Sequence, residues 1–78
     1  MRYPVTVTAD HPAPAYKLDR QIVEVGVQRY AVGDGPEVKR YSAHRAGFGY
    51  VCDFATPEAA INDLLRANGC TNVRIGDA

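Results

Sequence analysis

The chain has 78 residues, which is enough for one domain, residues 1–78, with a thin hydrophobic core. Nine basic and nine acidic residues give a formal net charge of zero, which excludes a globally basic nucleic-acid-binding protein but not a local basic patch. No apolar run is long enough to span a bilayer and MRYPVTVTAD lacks the apolar segment of a signal peptide, so we expect a cytoplasmic protein without membrane contact.

The first predicted element is a strand over residues 3–9, where apolar and polar side chains alternate. Pro4 lies at its start, a position that an edge strand tolerates. Pro12 and Pro14 push their preceding residues away from helical geometry, so residues 11–16 are predicted to be an extended surface loop. We interpret this loop as a connector, with contact to a partner as the alternative.

A β-hairpin is predicted next. Residues 21–32 are rich in alternating valines, residues 33–36 read Gly-Asp-Gly-Pro, and residues 38–43 form the returning strand. Two registers are open. A turn of odd length would place Arg29 opposite Tyr41, whereas an even length would place it opposite Arg40, which like-charge repulsion disfavours.

The second half predicts a turn over residues 44–47, a strand over residues 48–54, a helix, and a last strand over residues 72–75. Thr56 suits the N-cap, Pro57 the first helical position, and Gly69 the left-handed residue that ends the helix. The apolar stripe of the helix consists of Ala60, Ile61, Leu64 and Leu65. The fold class is therefore α+β. We expect an antiparallel sheet of four to five strands, three of them in a meander, with the helix packed on one face, in the order β-β-β-β-α-β.

Strict alternation along residues 48–54 places Phe48, Tyr50, Cys52 and Phe54 on one face, and we expect the three aromatic rings to be buried under the helix. Cys52 precedes the helix and Cys70 follows it. A helix of about a dozen residues spans roughly 18 Å, well beyond the Cα separation of a disulfide, so two free thiols are predicted.

Catalytic and metal-binding patterns are not found. Ser42 and His44 share a strand face without an acid placed behind them, and the remaining acids and His11 complete no set of nucleophile, base and orienting group. The cysteine and histidine spacings fit no zinc site, and the glycines form no phosphate loop. We therefore predict no catalytic residue, no metal and no cofactor.

The candidate binding site is the basic and aromatic segment over residues 39–45, joined by two residues of the neighbouring strand. Its predicted residues are Arg29, Tyr30, Lys39, Arg40, Tyr41, His44 and Arg45. We expect Arg45 to lie in the turn, where it can approach a partner together with Arg40. Such a patch suits an acidic protein surface or a phosphate backbone. The alternative is a solvated strand face that resists edge aggregation.

Residues 47–51, Gly-Phe-Gly-Tyr-Val, resemble the RNP1 motif of RNA-recognition motifs, and TPEAAINDLL followed by NVRI resembles the second half of that family. The resemblance implies a single-stranded RNA-binding module in which Phe48 and Tyr50 stack on bases. Ala46 replaces the basic residue of the motif, Asp53 replaces its last aromatic residue, and no helix is predicted between the first two strands. RNA binding is therefore the alternative function.

In its size and arrangement the whole chain resembles the small accessory proteins of phages, among them the anti-CRISPR proteins of type I systems. This resemblance implies a non-enzymatic inhibitor in the host-cell cytoplasm that docks on a surveillance complex (Cascade) and blocks DNA recognition. The expected partner is a host protein or nucleoprotein complex, with Cas subunits the suspected components and direct nucleic-acid binding less favoured. A monomer or a small homo-oligomer is expected, and an oligomeric structural component of a phage particle is a further alternative.

Overall fold

Five antiparallel strands form one sheet in the computed structural model, which describes residues 1–76. The elements are β1 (Arg2–Asp10), a short 3₁₀ helix (Pro14–Tyr16), β2 (Leu18–Tyr30), β3 (Val38–Arg45), β4 (Gly49–Phe54), α1 (Pro57–Ala67) and β5 (Thr71–Ile75). The spatial order β4-β3-β2-β1-β5 is a four-stranded meander, one strand more than predicted, with β5 added beside β1. The α+β class and the element order are confirmed. Asp77 and Ala78 of the predicted domain lie outside the described residues.

The helix begins and ends where its capping residues predict. The Thr56 hydroxyl accepts a hydrogen bond from the Ala59 backbone N–H at 3.1 Å, and Pro57 occupies the first turn. At the other end Gly69 has a φ of +89°, and the next N–H, that of Cys70, donates to the Leu65 carbonyl at 3.0 Å. The helix connects β4 at one edge of the sheet to β5 at the other edge.

The core is a single apolar layer between α1 and one face of the sheet. The buried residues are Val7, Ala9, Leu18, Val23, Val25 and Ala43 from the sheet, Ala60, Ile61, Leu64 and Leu65 from the helix, and Cys70. In β1 and β2 the buried valines alternate with exposed or half-buried residues, as expected when a helix covers only one face. The other face, here called the open face, has no helix over it among residues 1–76.

A β-bulge in β4 makes one expectation wrong. Tyr41 is opposite Phe54 and Ala43 is opposite Val51, so β4 carries one extra residue between these two pairs, and Asp53 has a φ of +71°. Val51 and Phe54 consequently both pack against the core. Tyr50 lies on the open face with 56% of its surface exposed, and is not buried under the helix.

Phe48 and Phe54 pack against the core, as expected, but they are half-buried and so less buried than predicted. Phe48 lies in the β3–β4 turn and not in the strand, because β4 begins at Gly49.

The hairpin register is neither of the two considered. Arg29 is opposite Lys39, which corresponds to a turn of odd length but two residues shorter than the one that places Arg29 opposite Tyr41. Like charges are therefore opposite each other, so avoidance of like-charge pairing did not set the register. β3 also runs on to Arg45, so His44 and Arg45 belong to the strand and not to the predicted turn.

Cys52 and Cys70 are both free thiols, as predicted, with Cys52 exposed and Cys70 buried. Among the described residues, no helix combines the length and the apolar character needed to cross a bilayer.

Replacing Leu64 with Ala should lower the free energy of unfolding by about 2–5 kcal/mol, because Leu64 is only 1% exposed and its removal leaves a cavity under the helix. Asp63→Ala, an exposed change on the adjacent helical position, should alter stability by less than about 0.5 kcal/mol. Urea titrations of both variants measure this difference, and equal midpoints would contradict the assigned core.

The two thiols should react with Ellman's reagent in two separate steps. Cys52 should be titrated at once in the native protein, whereas Cys70 should react only after denaturation. Burial both shields the Cys70 thiol and raises its pKa, so that less of the reactive thiolate is present at a given pH. Two rapid equivalents in the native protein would contradict the position of Cys70.

Candidate functional site

The seven predicted binding residues lie on two opposite faces of the sheet. Alternation from the buried Ala43 and Val25 places Arg29, Lys39, Tyr41 and Arg45 on the helix side, and Tyr30, Arg40 and His44 on the open face. The structure therefore does not bring them together as one patch. Arg40 and Arg45 are an odd number of positions apart in the regular strand β3, so their side chains lie on opposite faces of the sheet.

Arg45 stabilises the end of the sheet and is not free for a partner in the way predicted. Its guanidinium Nη1 donates to the Ile22 carbonyl of β2 at 3.0 Å. Its Cζ also lies 5.6 Å from the centre of the Phe48 ring, within the range of a cation–π contact. The expectation that Arg45 lies in a turn, where it can face the same way as Arg40, is wrong, because Arg45 belongs to β3 and lies on the opposite face of the sheet.

Tyr41 is half-buried and packs against the core. The electrostatics of its neighbour Tyr3 reflect the same location. Burial raises the pKa of the Tyr3 phenol, and the nearby Tyr41 and Glu58 raise it further, because each disfavours the phenolate. Tyr41 therefore stabilises the fold near the start of α1 and contributes little accessible surface for a partner.

The loop over residues 11–16 is anchored to the helix terminus. The His11 ring accepts a hydrogen bond from the Ala13 backbone N–H through Nδ1 at 2.9 Å, so Nε2 is the nitrogen that donates to the Asn68 carbonyl at 2.8 Å. The His11 and Tyr16 ring centres lie 5.2 Å apart, and Tyr16 meets Phe48 edge-on at 6.4 Å. The sequence carries no spacing that signals this contact, and the predicted extended connector is in fact a packed one.

The remaining arginines of the candidate site each lie near a carboxylate. Arg29 Nε lies 3.7 Å from a Glu37 oxygen, and Arg40 Nε lies 3.7 Å from an oxygen of Asp53 at the bulge. All four side chains are substantially exposed, so these pairs contribute little stability. They do make the surface one of mixed charge.

The open face has a central row of four paired residues, which were not predicted from the sequence to form a binding site. Across β1 to β4 the row reads Pro4, Glu24, His44 and Tyr50. A shallow depression of roughly 200 Å³ lies beside it, lined by Arg2, Glu24, Gly26, Ser42, His44 and Tyr50. The one available signal was the spacing of the apolar residues Val51 and Phe54, which are three positions apart and so break regular alternation. A bulge between them places Tyr50 on the open face.

Ser42 and His44 share the open face, as predicted, and the sheet adds Glu24 directly opposite His44. No hydrogen bond joins these three side chains. The described residues hold no group of three or more potential metal ligands. The arrangement offers a polar, partly aromatic contact surface.

Comparisons with protein-family models, with curated proteins and with solved structures found no match to this chain.

Replacing Arg45 with Ala should lower the free energy of unfolding by about 1–2 kcal/mol, because it removes a charged hydrogen bond and the contact with Phe48 at a half-exposed site. The matched control is Lys39→Ala on the same side of β3, where the side chain is exposed and stability should change by less than about 0.5 kcal/mol. Thermal and urea denaturation of both variants measures these changes in stability. If Arg45→Ala leaves the stability unchanged, Arg45 is not needed for the fold and is again a candidate for the binding surface.

Proposed function

We propose that this chain is a non-enzymatic inhibitor that acts by binding a protein or nucleoprotein partner. The observation that carries the proposal is the open face, where a five-stranded sheet presents accessible apolar and aromatic side chains. Tyr50 is 56% exposed, Ile22 46% and Tyr30 45%. Exposed tyrosines beside arginines are typical of protein interfaces.

The charge distribution favours a protein over a phosphate backbone as the contacted surface. Arg2 lies 4.0 Å from Glu24 on the open face, and Arg40 lies near Asp53. A nucleic-acid-binding surface gains its affinity from cations that replace counterions along the phosphates, and carboxylates beside those cations oppose that gain. Alternating charges with aromatic side chains between them suit a protein surface with complementary charges.

The specific target in this proposal is a type I CRISPR surveillance complex. Its support is the resemblance in size and arrangement to anti-CRISPR proteins, together with a small α+β fold in which the core lies on one face of the sheet. On this proposal the chain occupies a surface on Cas subunits in the host-cell cytoplasm. Occupancy of that surface then blocks recognition of target DNA.

The test is direct binding to a purified type I surveillance complex. We expect the two to co-elute in gel filtration, and we expect saturating amounts of the chain to abolish binding of target DNA in a mobility-shift assay. The control is the Leu64→Ala variant, assayed at a temperature above the melting point of that variant. The variant is then unfolded and should not inhibit DNA binding. Undiminished DNA binding in the presence of saturating folded chain would contradict the named target.

One observation favours the alternative function, binding of single-stranded RNA. Tyr50 of the RNP1-like segment lies on the open face beside His44, as a base-stacking ring requires. Phe48, the second ring of that segment, instead packs against the core, so the pair of stacking rings is not presented together.

Fluorescence anisotropy with labelled single-stranded RNA separates the two functions. The proposed inhibitor should not bind RNA at physiological salt. Binding that is abolished by Tyr50→Ala, with the melting temperature unchanged, would favour the RNA-binding alternative. Light scattering of the same samples tests the other alternative, since an oligomeric phage component would assemble without any partner.

A further inference from the structure

We infer that residues 28–40, here called the β-arm, are the docking element of this protein and insert into an apolar cleft with an acidic rim on a protein partner. The inference rests on the proposed binding function. It adds the element that docks and the chemistry of the surface that receives it.

The β-arm extends beyond the rest of the sheet. β1 is paired with β2 only as far as Gly26, and β4 is paired with β3 only from Tyr41 onward. Residues 28–30 and 38–40 therefore pair only with each other. The elongation is visible in the dimensions of 49 × 22 × 19 Å and in the radius of gyration of 13.6 Å. A compact chain of this length has a radius of gyration of about 11.5 Å.

No residue of the β-arm belongs to the hydrophobic core or packs against it. A two-stranded ribbon without a packing surface is marginally stable in water, since its paired backbone is ordered without any apolar burial. A partner that covers one side of the ribbon supplies the burial that the rest of this chain does not. Because of its length and its lack of contact with the hydrophobic core, the β-arm is suited to pack against another molecule.

The basic residues on one side of the β-arm indicate that the partner surface has an acidic rim. Arg29 and Lys39 are directly opposite each other, an arrangement in which like charges repel. Glu37 lies 3.7 Å from Arg29, while Lys39 forms no ion pair within residues 1–76. A carboxylate of a partner placed between Arg29 and Lys39 would convert this repulsion into attraction, which makes an acidic surface the complementary one.

The exposed apolar and aromatic residues on the other side of the β-arm indicate that the partner surface has an apolar cleft. Tyr30 is opposite Val38, and Val32 follows in the turn. Tyr30 is 45% exposed and Val32 is 79% exposed. A tyrosine and a valine at the end of a narrow ribbon can enter a cleft, where burial of an aromatic anchor contributes most to affinity.

The mode of contact is insertion of side chains into a protein. Charged residues and Pro36 along the β-arm disfavour the addition of a further strand to its edges. Asp34 and Glu37 near its end would repel nucleic-acid phosphates, which argues against a groove of RNA or DNA as the receiving surface.

Two double variants test the two sides of the β-arm. Arg29→Glu with Lys39→Glu should weaken binding to the purified type I surveillance complex at least tenfold, and so should Tyr30→Ser with Val32→Ser. The matched control, Lys17→Glu with Arg74→Glu, reverses two exposed charges outside the β-arm and should bind within twofold of the unmodified chain. Melting temperatures should stay close to the unmodified value in all three. Tight binding by the unmodified chain that neither β-arm variant weakens would overturn this inference and leave the proposed function standing.

If the unmodified chain does not bind the surveillance complex, the proposed target is wrong. Photo-crosslinking then tests independently whether the β-arm is the docking element. p-Benzoylphenylalanine is placed at position 32 or, as the comparison, at position 50 in full-length chain produced in cells. We expect position 32 to crosslink to a protein peptide in which aspartates or glutamates flank apolar residues. Crosslinks from position 50 alone, crosslinks to RNA, or no crosslink from position 32 would each overturn the β-arm as the docking element.

Discussion

The packing of one short helix on one face of the sheet is the interaction on which the rest of the structure depends. Ile61, Leu64 and Leu65 are at most 1% exposed and belong to the core between the helix and the sheet, with the helix nearest to β3 and β4. A helix of 11 residues is about 16 Å long, so it covers only part of one face of the sheet. The open face and the β-arm are the two regions that this limited coverage leaves accessible.

The two ends of the sheet are built differently, and this difference supports the β-arm as the proposed docking element. At the end where β2 starts, His11, Tyr16, Phe48 and Arg45 form a continuous series of contacts that joins the loop, the β3–β4 turn and the helix terminus at Asn68. At the opposite end the β-arm leaves the sheet with only its own backbone pairing and the exposed contact between Arg40 and Asp53. Side chains that are satisfied internally have little to gain from a partner, so the second end is the better place to look for one.

The elements whose structure depends on neighbouring residues in the chain were predictable from the sequence. Thr56, Pro57 and Gly69 specify the helix ends through local hydrogen bonds and backbone angles, and valine alternation specifies β2. The bulge at Asp53 was not predictable from simple alternation, because one inserted residue reverses the face of the side chains that precede it within β4. That single error accounts for the misplacement of Tyr50.

The candidate site was predicted as a cluster because its residues are close in the sequence, but a strand separates neighbours onto opposite faces. Arg45 and Tyr41 serve the fold, whereas Arg29, Tyr30 and Lys39 remain accessible on the β-arm. Because no residue of the β-arm contributes to the core, changes there can alter partner binding with little effect on folding. On the proposal that the β-arm docks on a partner, this separation lets the residues of the β-arm vary with that partner while the core maintains the sheet.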